Sequence, residues 1–483
     1  MGNSSAYKWS FFDRGGLAVI NFTVNLVLAR MLTKADFGLL AMIAIFTGIA
    51  QNLSSCGLSD GLIHKTDPSE DDYSTVFMFN AGVGLLMGLI FFFTAPLIAA
   101  YFGHDELIVI MRTLGVCFFF QTMSYVQETR LRKEMQFRKI CLVHIGATVT
   151  VSVLGIVAAS RGMGYKALIC TQIMLGFFQF VYYLIASGWF PRLVFRLKAF
   201  KEFFSYGVHL MISYIATMIG SNINTFVLGR FYSSPSQSGV YYQGAKFANV
   251  PFSVSELSLN IPFFVVASNE TDAARRRQLF SDMFGTIVAV NSCILMLMLV
   301  VAGPVIDLLY GAKWHESIPV FRILALAEFL LCVKAFYQTV CKVYGRTRFV
   351  RDMGFAATAI QLLLLWIFYR YGILVIAWTQ VAGVAIVVII YTFYCHGVSM
   401  MSIRLRSLAA IAVRSCWLSV VSGLVSLAVL MAVSSLPVFV VCVLVSLAYC
   451  ATLVLLGEWL RPTVYMQLRD RIIRKHREGR NSK

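Results

Sequence analysis

Fourteen stretches of predominantly apolar residues divide this chain, each long enough to form a helix that crosses a bilayer. They run over 9–32, 37–56, 76–100, 107–127, 140–160, 167–187 and 204–231, then 240–267, 280–301, 318–341, 353–369, 373–394, 408–433 and 436–456. A membrane-spanning helix needs about 20 such residues. The stretches are continuously apolar rather than alternating, which argues against a β-barrel. Composition agrees: 59% of residues are hydrophobic and 13% charged, against about 25% charged in a soluble domain. A water-facing surface cannot be built from so little charge. Large soluble domains, disorder and a secreted disulfide scaffold are excluded, and the expected class is an all-α polytopic membrane protein with about 14 spans.

The net charge of +18 would raise nucleic-acid binding in a soluble protein. Here its placement explains it. With fourteen spans both ends lie on one side. If that side is the cytoplasm, thirty of the 41 Lys and Arg fall in inner segments and seven in outer ones, with Arg112, Lys246, Arg322 and Lys334 inside spans. This is the positive-inside asymmetry, and it needs no nucleic acid. The basic tail 461–483 is expected to be a lipid-apposed cytoplasmic segment. Residues 1–8 are short and polar, with no cleavage site before the apolar run, so they are not read as a leader peptide. The eleven Cys include no CxxC pair and are read as small thiol-form core residues. The seven His lack metal-ligand spacing.

Short motifs recur in order. Val27-Leu28-Ala29-Arg30 returns as Val227-Leu228-Gly229-Arg230, an offset of 200. Pro96-x-Ile98-x3-Phe102-Gly103 returns as Pro304-x-Ile306-x3-Tyr310-Gly311 at 208, and Arg112-Thr-Leu-Gly as Arg322-Ile-Leu-Ala at 210. Together they predict two pseudo-symmetric six-helix lobes, 1–202 and 203–400, followed by two extra spans in 401–460 and the tail. Parallel repeats of this kind place a substrate between the lobes.

Charge within a span costs about 2.5 kcal/mol or more, so each such residue calls for a reason. In span 8, Lys246, Asn249, Ser253, Glu256 and Asn260 follow spacings of 3, 4, 3 and 4, which is one helical face. That stripe suits a water-filled cavity, with interhelical hydrogen bonding as the alternative. In span 1, Arg14, Asn21 and Asn25 share a face, and Asp13 stands beside Arg14 as a possible partner. Lys334 lies deep in span 10, with Glu328 a poor six residues away. Arg112 and Arg322 suit snorkelling, Arg30 and Arg230 suit helix ends, and Asn222 and Asn224 are weaker cavity candidates. No nucleophile constellation, Walker loop or dinucleotide fingerprint appears, so direct use of ATP is not expected. A membrane-embedded glycosyltransferase or polymerase would need a long loop with catalytic carboxylates, and the loops here are short.

Trp9-Ser-Phe-Phe-Asp13-Arg14, Leu28-Ala-Arg30-Met-Leu-Thr-Lys-Ala-Asp36-Phe-Gly38, Asp72-Tyr-Ser-Thr-Val-Phe77 and Leu131-Arg-Lys-Glu-Met-Gln-Phe137 resemble the first half of polysaccharide transporter family proteins. Tyr310-Gly-Ala-Lys-Trp314, then Pro319 and Arg322-Ile-Leu-Ala-Leu, are similar to the second half. The similarity weakens after about Arg404. It implies the multidrug/oligosaccharidyl-lipid/polysaccharide exporter superfamily. It also implies a Wzx-type flippase, not an enzyme, that moves undecaprenyl-pyrophosphate-linked repeat units across the bacterial inner membrane for O-antigen, capsule or exopolysaccharide synthesis. On this resemblance Arg14, Lys246 and Lys334 would meet the pyrophosphate, while Asn21, Asn25, Asn249, Glu256 and Asn260 would line the cavity. Asp13 and Glu256 would be the coupling carboxylates. No cofactor is expected beyond coupling to a Na+ or H+ gradient or to the membrane potential. Partners would be the lipid-linked glycan, membrane lipid and the polysaccharide polymerase machinery. A cation-coupled multidrug exporter and a lipid II flippase remain alternatives.

Overall fold

The structure is a computed structural model that describes residues 2–55, 62, 65, 67–192, 194–197, 220, 222–232, 234–397, 405–433 and 436–460. The chain divides into two compact units, Met1–Tyr242 and Gln243–Lys483. Among the described residues it is all helix. Nine helices in that set are long and apolar enough to cross a membrane.

The first unit holds α1 (Gly2–Met31), α2 (Lys34–Ser55), α3 (Glu70–Phe102), α4 (Glu106–Lys133), α5 (Phe137–Ser160), α6 (Tyr165–Ser187) and the helical segment 222–231, here α7. A π-turn over Ile169–Ile173 interrupts α6. Helix α3 begins at a capping box: the Ser69 hydroxyl accepts from the Asp72 amide, and Asp72 Oδ2 accepts from the Ser69 amide at 2.9 Å. It then runs along α4 at very short range. A Cβ on Gly88 would stand 3.0 Å from the Gly115 carbonyl oxygen, and one on Gly115 would stand 2.8 Å from that of Gly88. Two glycines facing each other let the backbones touch, which is how helices associate where lipid removes the hydrophobic drive. The Phe91–Phe118 edge contact at 6.1 Å and the Asn80 amide donating to the Thr122 carbonyl at 3.2 Å flank that seam.

The second unit continues α8 (Pro235–Asn269) and adds α9 (Ala273–Tyr310), α10 (Ser317–Val343), α11 (Thr347–Phe368), α12 (Ile373–Gly397), α13 (Leu405–Ala432) and α14 (Val438–Leu460). Phe263 packs on Phe280 of α9 and stacks on Phe336 of α10, with centroids 5.9 and 5.7 Å away. The last two helices, which lie outside the sequence repeat, fasten to α9. Val441 and Val445 pack with Val300 and Val301, Ser419 donates to Ser292 at 3.0 Å, and the Tyr449 hydroxyl donates to the Cys293 carbonyl at 3.1 Å.

At the repeated motifs the local geometry repeats. Helices α3 and α9 each carry a proline six residues before their last residue and stop at a glycine with positive φ, 77° at Gly103 and 88° at Gly311. A side chain would strain that conformation. The Leu32 amide donates to the Leu28 carbonyl at 2.8 Å, as the Tyr232 amide does to Leu228 at 3.1 Å. The ends of α4 and α10 also match beyond the sequence motifs. The Gln136 amide donates to Leu131 and the Arg346 amide to Cys341, both at 2.8 Å, across left-handed Met135 and Gly345. That pair is offset by 210, the same offset as Arg112 and Arg322.

Candidate functional site

Three groups of polar side chains stand out against the apolar helices. The first ties the start of α3 to the end of α4. Glu70 precedes the apolar stretch of α3, and Arg130 follows that of α4. The Arg130 guanidinium donates to the Glu70 carboxylate at 2.9 Å and to Glu134 at 3.1 Å. The Trp189 indole N–H donates to Glu70 at 2.6 Å, and Arg130 lies over the Tyr73 and Trp189 rings at 5.5 and 5.6 Å. The hydrogen bond from Arg130, and then that from Trp189, holds the Glu70 carboxyl below the ordinary carboxylate range. Lys65 pairs with Asp72 at 2.8 Å, and Arg196 pairs with Asp71. The acidic first turn of α3 therefore collects the end of α4 and the segments that follow α2 and α6. Glu70→Gln is expected to weaken this tie by about 1 kcal/mol, since the pair is partly exposed. The check is a lower thermal unfolding midpoint of the purified protein in detergent, with Trp189→Phe lowering it as well.

The second group lies inside the first unit. Asp13 of α1 faces His144 of α5, with both carboxylate oxygens 3.1 Å from Nδ1. On the far side of the ring, Nε2 is 2.9 Å from the Tyr183 hydroxyl of α6. It lies 4.0 Å from Glu128 of α4, which also pairs with Arg132. Tyr183 is fully buried and Glu128 nearly so. Asp13, a candidate coupling carboxylate, thus has His144 as its partner. Sequence spacing could not place His144, Tyr183 or Glu128 with Asp13, because the first pair is 131 residues apart. The signal available was an imidazole within the apolar stretch 140–160, since ionisable residues at membrane depth mark function by default.

The third group is the stripe on α8. Lys246 is half-buried and Asn249 exposed, and the Asn249 amide donates to the Glu328 carboxylate of α10 at 3.2 Å. Glu328 is therefore engaged across the α8–α10 contact, and Lys334 sits half-buried on the same α10. Ser253 bonds back to the Val250 carbonyl at 2.8 Å. Asn260 is buried, and its Oδ1 meets no hydrogen-bond donor among the described residues. Of the span 1 residues, Asn21 is exposed and Asn25 buried. The side chains of Arg14 and Glu256 lie outside the described residues. Arg112 lies over the Phe92 ring at 4.5 Å and Arg230 over Tyr101 at 4.8 Å, so both end in cation–π contacts. Arg322 is exposed on α10, and Asn224 donates to the Tyr241 hydroxyl at 2.7 Å. Among the described residues no three His, Cys, Asp or Glu side chains group as metal ligands.

A helical membrane protein with ionisable groups inside its bundle has the build of a transporter. In fold the chain is similar to the inward closed conformation of the lipid II flippase MurJ, with a TM-score of 0.74 at 14% identity over 95% of this chain and all of that one. It is 23% identical to the teichuronic acid biosynthesis protein TuaB of Bacillus subtilis over 390 residues, 80% of this chain and 78% of that protein. It is 24% identical to the lipopolysaccharide biosynthesis protein WzxC of Escherichia coli over 339 residues, 68% of this chain and 67% of that protein. Residues 27–319 match the family described as "Polysaccharide biosynthesis protein". The chain belongs to that family: it is a multi-pass membrane protein of polysaccharide biosynthesis.

Proposed function

We propose that this protein is a flippase for lipid-linked oligosaccharides. It carries undecaprenyl-pyrophosphate-linked repeat units across the bacterial inner membrane by alternating access, for lipopolysaccharide, capsule or exopolysaccharide assembly. The observation that carries the reading is membership of a polysaccharide biosynthesis family in a chain whose predicted spans hold the cations Arg14, Lys246 and Lys334. A pyrophosphate must shed water to cross the membrane and needs opposite charge on the way. The amides Asn21, Asn25, Asn249 and Asn260 would meet sugar hydroxyls. In this reading fourteen spans form two six-helix lobes, 1–202 and 203–400, with 401–460 appended, the tail 461–483 basic, and both ends cytoplasmic. The membrane potential or an ion gradient drives the cycle, and the polymerase machinery takes up the product.

Deleting the gene should abolish the surface polysaccharide and leave lipid-linked repeat units on the inner leaflet, read by glycan extraction. Unchanged surface glycan would reject the reading. Reporter fusions after Arg130 and after Arg277 should both signal cytoplasm, because the positive-inside asymmetry demands it. An external signal at either site would overturn the topology.

The likeness in fold to MurJ favours one second reading, a lipid II flippase. Expression of this chain in cells depleted of their own lipid II flippase separates the two. Restored growth would favour the second reading, and lysis with continued glycan export the first.

A further inference from the structure

We propose that His144 is the proton-binding site of this transporter, held by Asp13 and taking its proton at Nε2. The inference rests on the transport reading above and deepens it by naming H+ as the coupling ion. Three helices of the first unit converge on the imidazole that α5 carries. Asp13 comes from α1, Glu128 with its partner Arg132 from α4, and Tyr183 from α6; Tyr125 of α4 faces Tyr183, and Cys141 of α5 faces Asp13. The ring meets a polar partner at each nitrogen and is itself partly buried.

The partners fix where a proton can bind. A carboxylate only accepts, so the nitrogen facing Asp13 at 3.1 Å carries hydrogen in the neutral ring. Nε2 is then the acceptor of a hydrogen bond that the Tyr183 hydroxyl donates across 2.9 Å. When a proton arrives at Nε2, that atom becomes a donor. The Tyr183 hydroxyl must turn its own hydrogen away and accept instead, and the Glu128 carboxylate at 4.0 Å is a nearby opposite charge for the imidazolium. No other bond forms or breaks, and the exchange is one proton in and one hydroxyl rotated.

The charge count points the same way. With the ring neutral, the cluster holds two carboxylates, Asp13 and Glu128, against one guanidinium, Arg132. One proton balances it. The Asp13, His144 and Glu128 side chains are only 19, 14 and 11% exposed, so the balance weighs more there than it would in bulk water. The added charge also strengthens the Nδ1–H···Asp13 hydrogen bond between α1 and α5, so loss of the proton weakens the link between two helices. That is a local charge change acting on a packed helix pair, as a coupling site requires.

The test uses the full chain in liposomes and in cells. Proton uptake by the purified protein is counted after an acid pulse from pH 8 to pH 5, for wild type and His144→Gln. The variant should bind one proton fewer per chain, and Asp13→Asn should bind fewer over the same window. In cells, glycan export by wild type should fall when the pH gradient is collapsed at constant membrane potential. Residual export by His144→Gln should ignore the collapse. Equal proton counts in wild type and His144→Gln overturn the inference, and so does a variant whose export still tracks the gradient. Should His144→Gln fail to accumulate, Tyr183→Phe and Asp13→Asn carry the test. An Asp13→Asn count equal to wild type then overturns the inference. If glycan export survives deletion of the whole gene, the transport reading fails. The proton count then still decides whether the site exists.

Discussion

Lys246→Ala should abolish glycan export while the protein still inserts and accumulates. Lys246 lies in an apolar stretch, where an ammonium costs about 2.5 kcal/mol or more, and on one face with four other polar residues of α8. Glu256 is ten residues along, about 15 Å at 1.5 Å per residue, too far to neutralise it directly. The Glu328 carboxylate on α10 accepts from Asn249 of the same stripe. On the flippase reading, this polar face would meet the substrate pyrophosphate during transport. Losing one charge-assisted contact of about 2 kcal/mol lowers the rate roughly thirtyfold, enough to strip the cell of surface glycan. Lys246→Arg should keep part of the activity, because the charge survives and the shape does not. Asn249→Ala should cost only a few-fold, since its amide is used between α8 and α10. The measurements are surface glycan and membrane accumulation side by side. Full export by well-accumulated Lys246→Ala would remove the lysine from the site.

The helices were readable from the chain because lipid imposes a simple rule on each span by itself. Twenty apolar residues suffice, and α3 to α6, α9 and α11 to α14 lie where the stretches are. The repeat motifs were readable for a related reason. Pro96 with Gly103 and Pro304 with Gly311 mark helix ends, and the same φ reversal closes both helices. What a stretch cannot reveal is which helices meet. The spacing makes Glu328 a poor partner for Lys334 on its own helix, and its carboxylate accepts from Asn249 on another. Asp13 stands beside Arg14 in sequence, and the imidazole at its carboxylate comes from 131 residues away. Periodicity assigns a face to each side chain and leaves the partner of that face open. Trp189 is the same case: an aromatic two residues after α6 in sequence, it closes the Glu70–Arg130 pair in space.

The close seam between α3 and α4 gives the largest expected loss of folded protein. Gly115→Leu should leave little protein in the membrane, and Gly115→Ala an intermediate amount. Each glycine Cβ would point at the carbonyl of the other across the seam, at 2.8 and 3.0 Å. Backbone oxygen cannot rotate away as a side chain can, so the helices must separate. Separation releases the Phe91–Phe118 contact and the Asn80–Thr122 hydrogen bond together. Overpacking of this kind costs about 3 kcal/mol. Gly82, on α3, is the control away from the seam. It is exposed, and a Cβ there meets nothing within 4 Å. Gly82→Ala should be neutral or stabilising by up to about 1 kcal/mol, because alanine is the better helix former. The order expected in a detergent-extraction and thermal-aggregation assay is Gly82→Ala at or above wild type, then Gly115→Ala, then Gly115→Leu. If Gly115→Leu accumulated as well as Gly82→Ala, close backbone contact would not be what joins α3 to α4. The seam would then rest on its flanking aromatic and amide contacts alone.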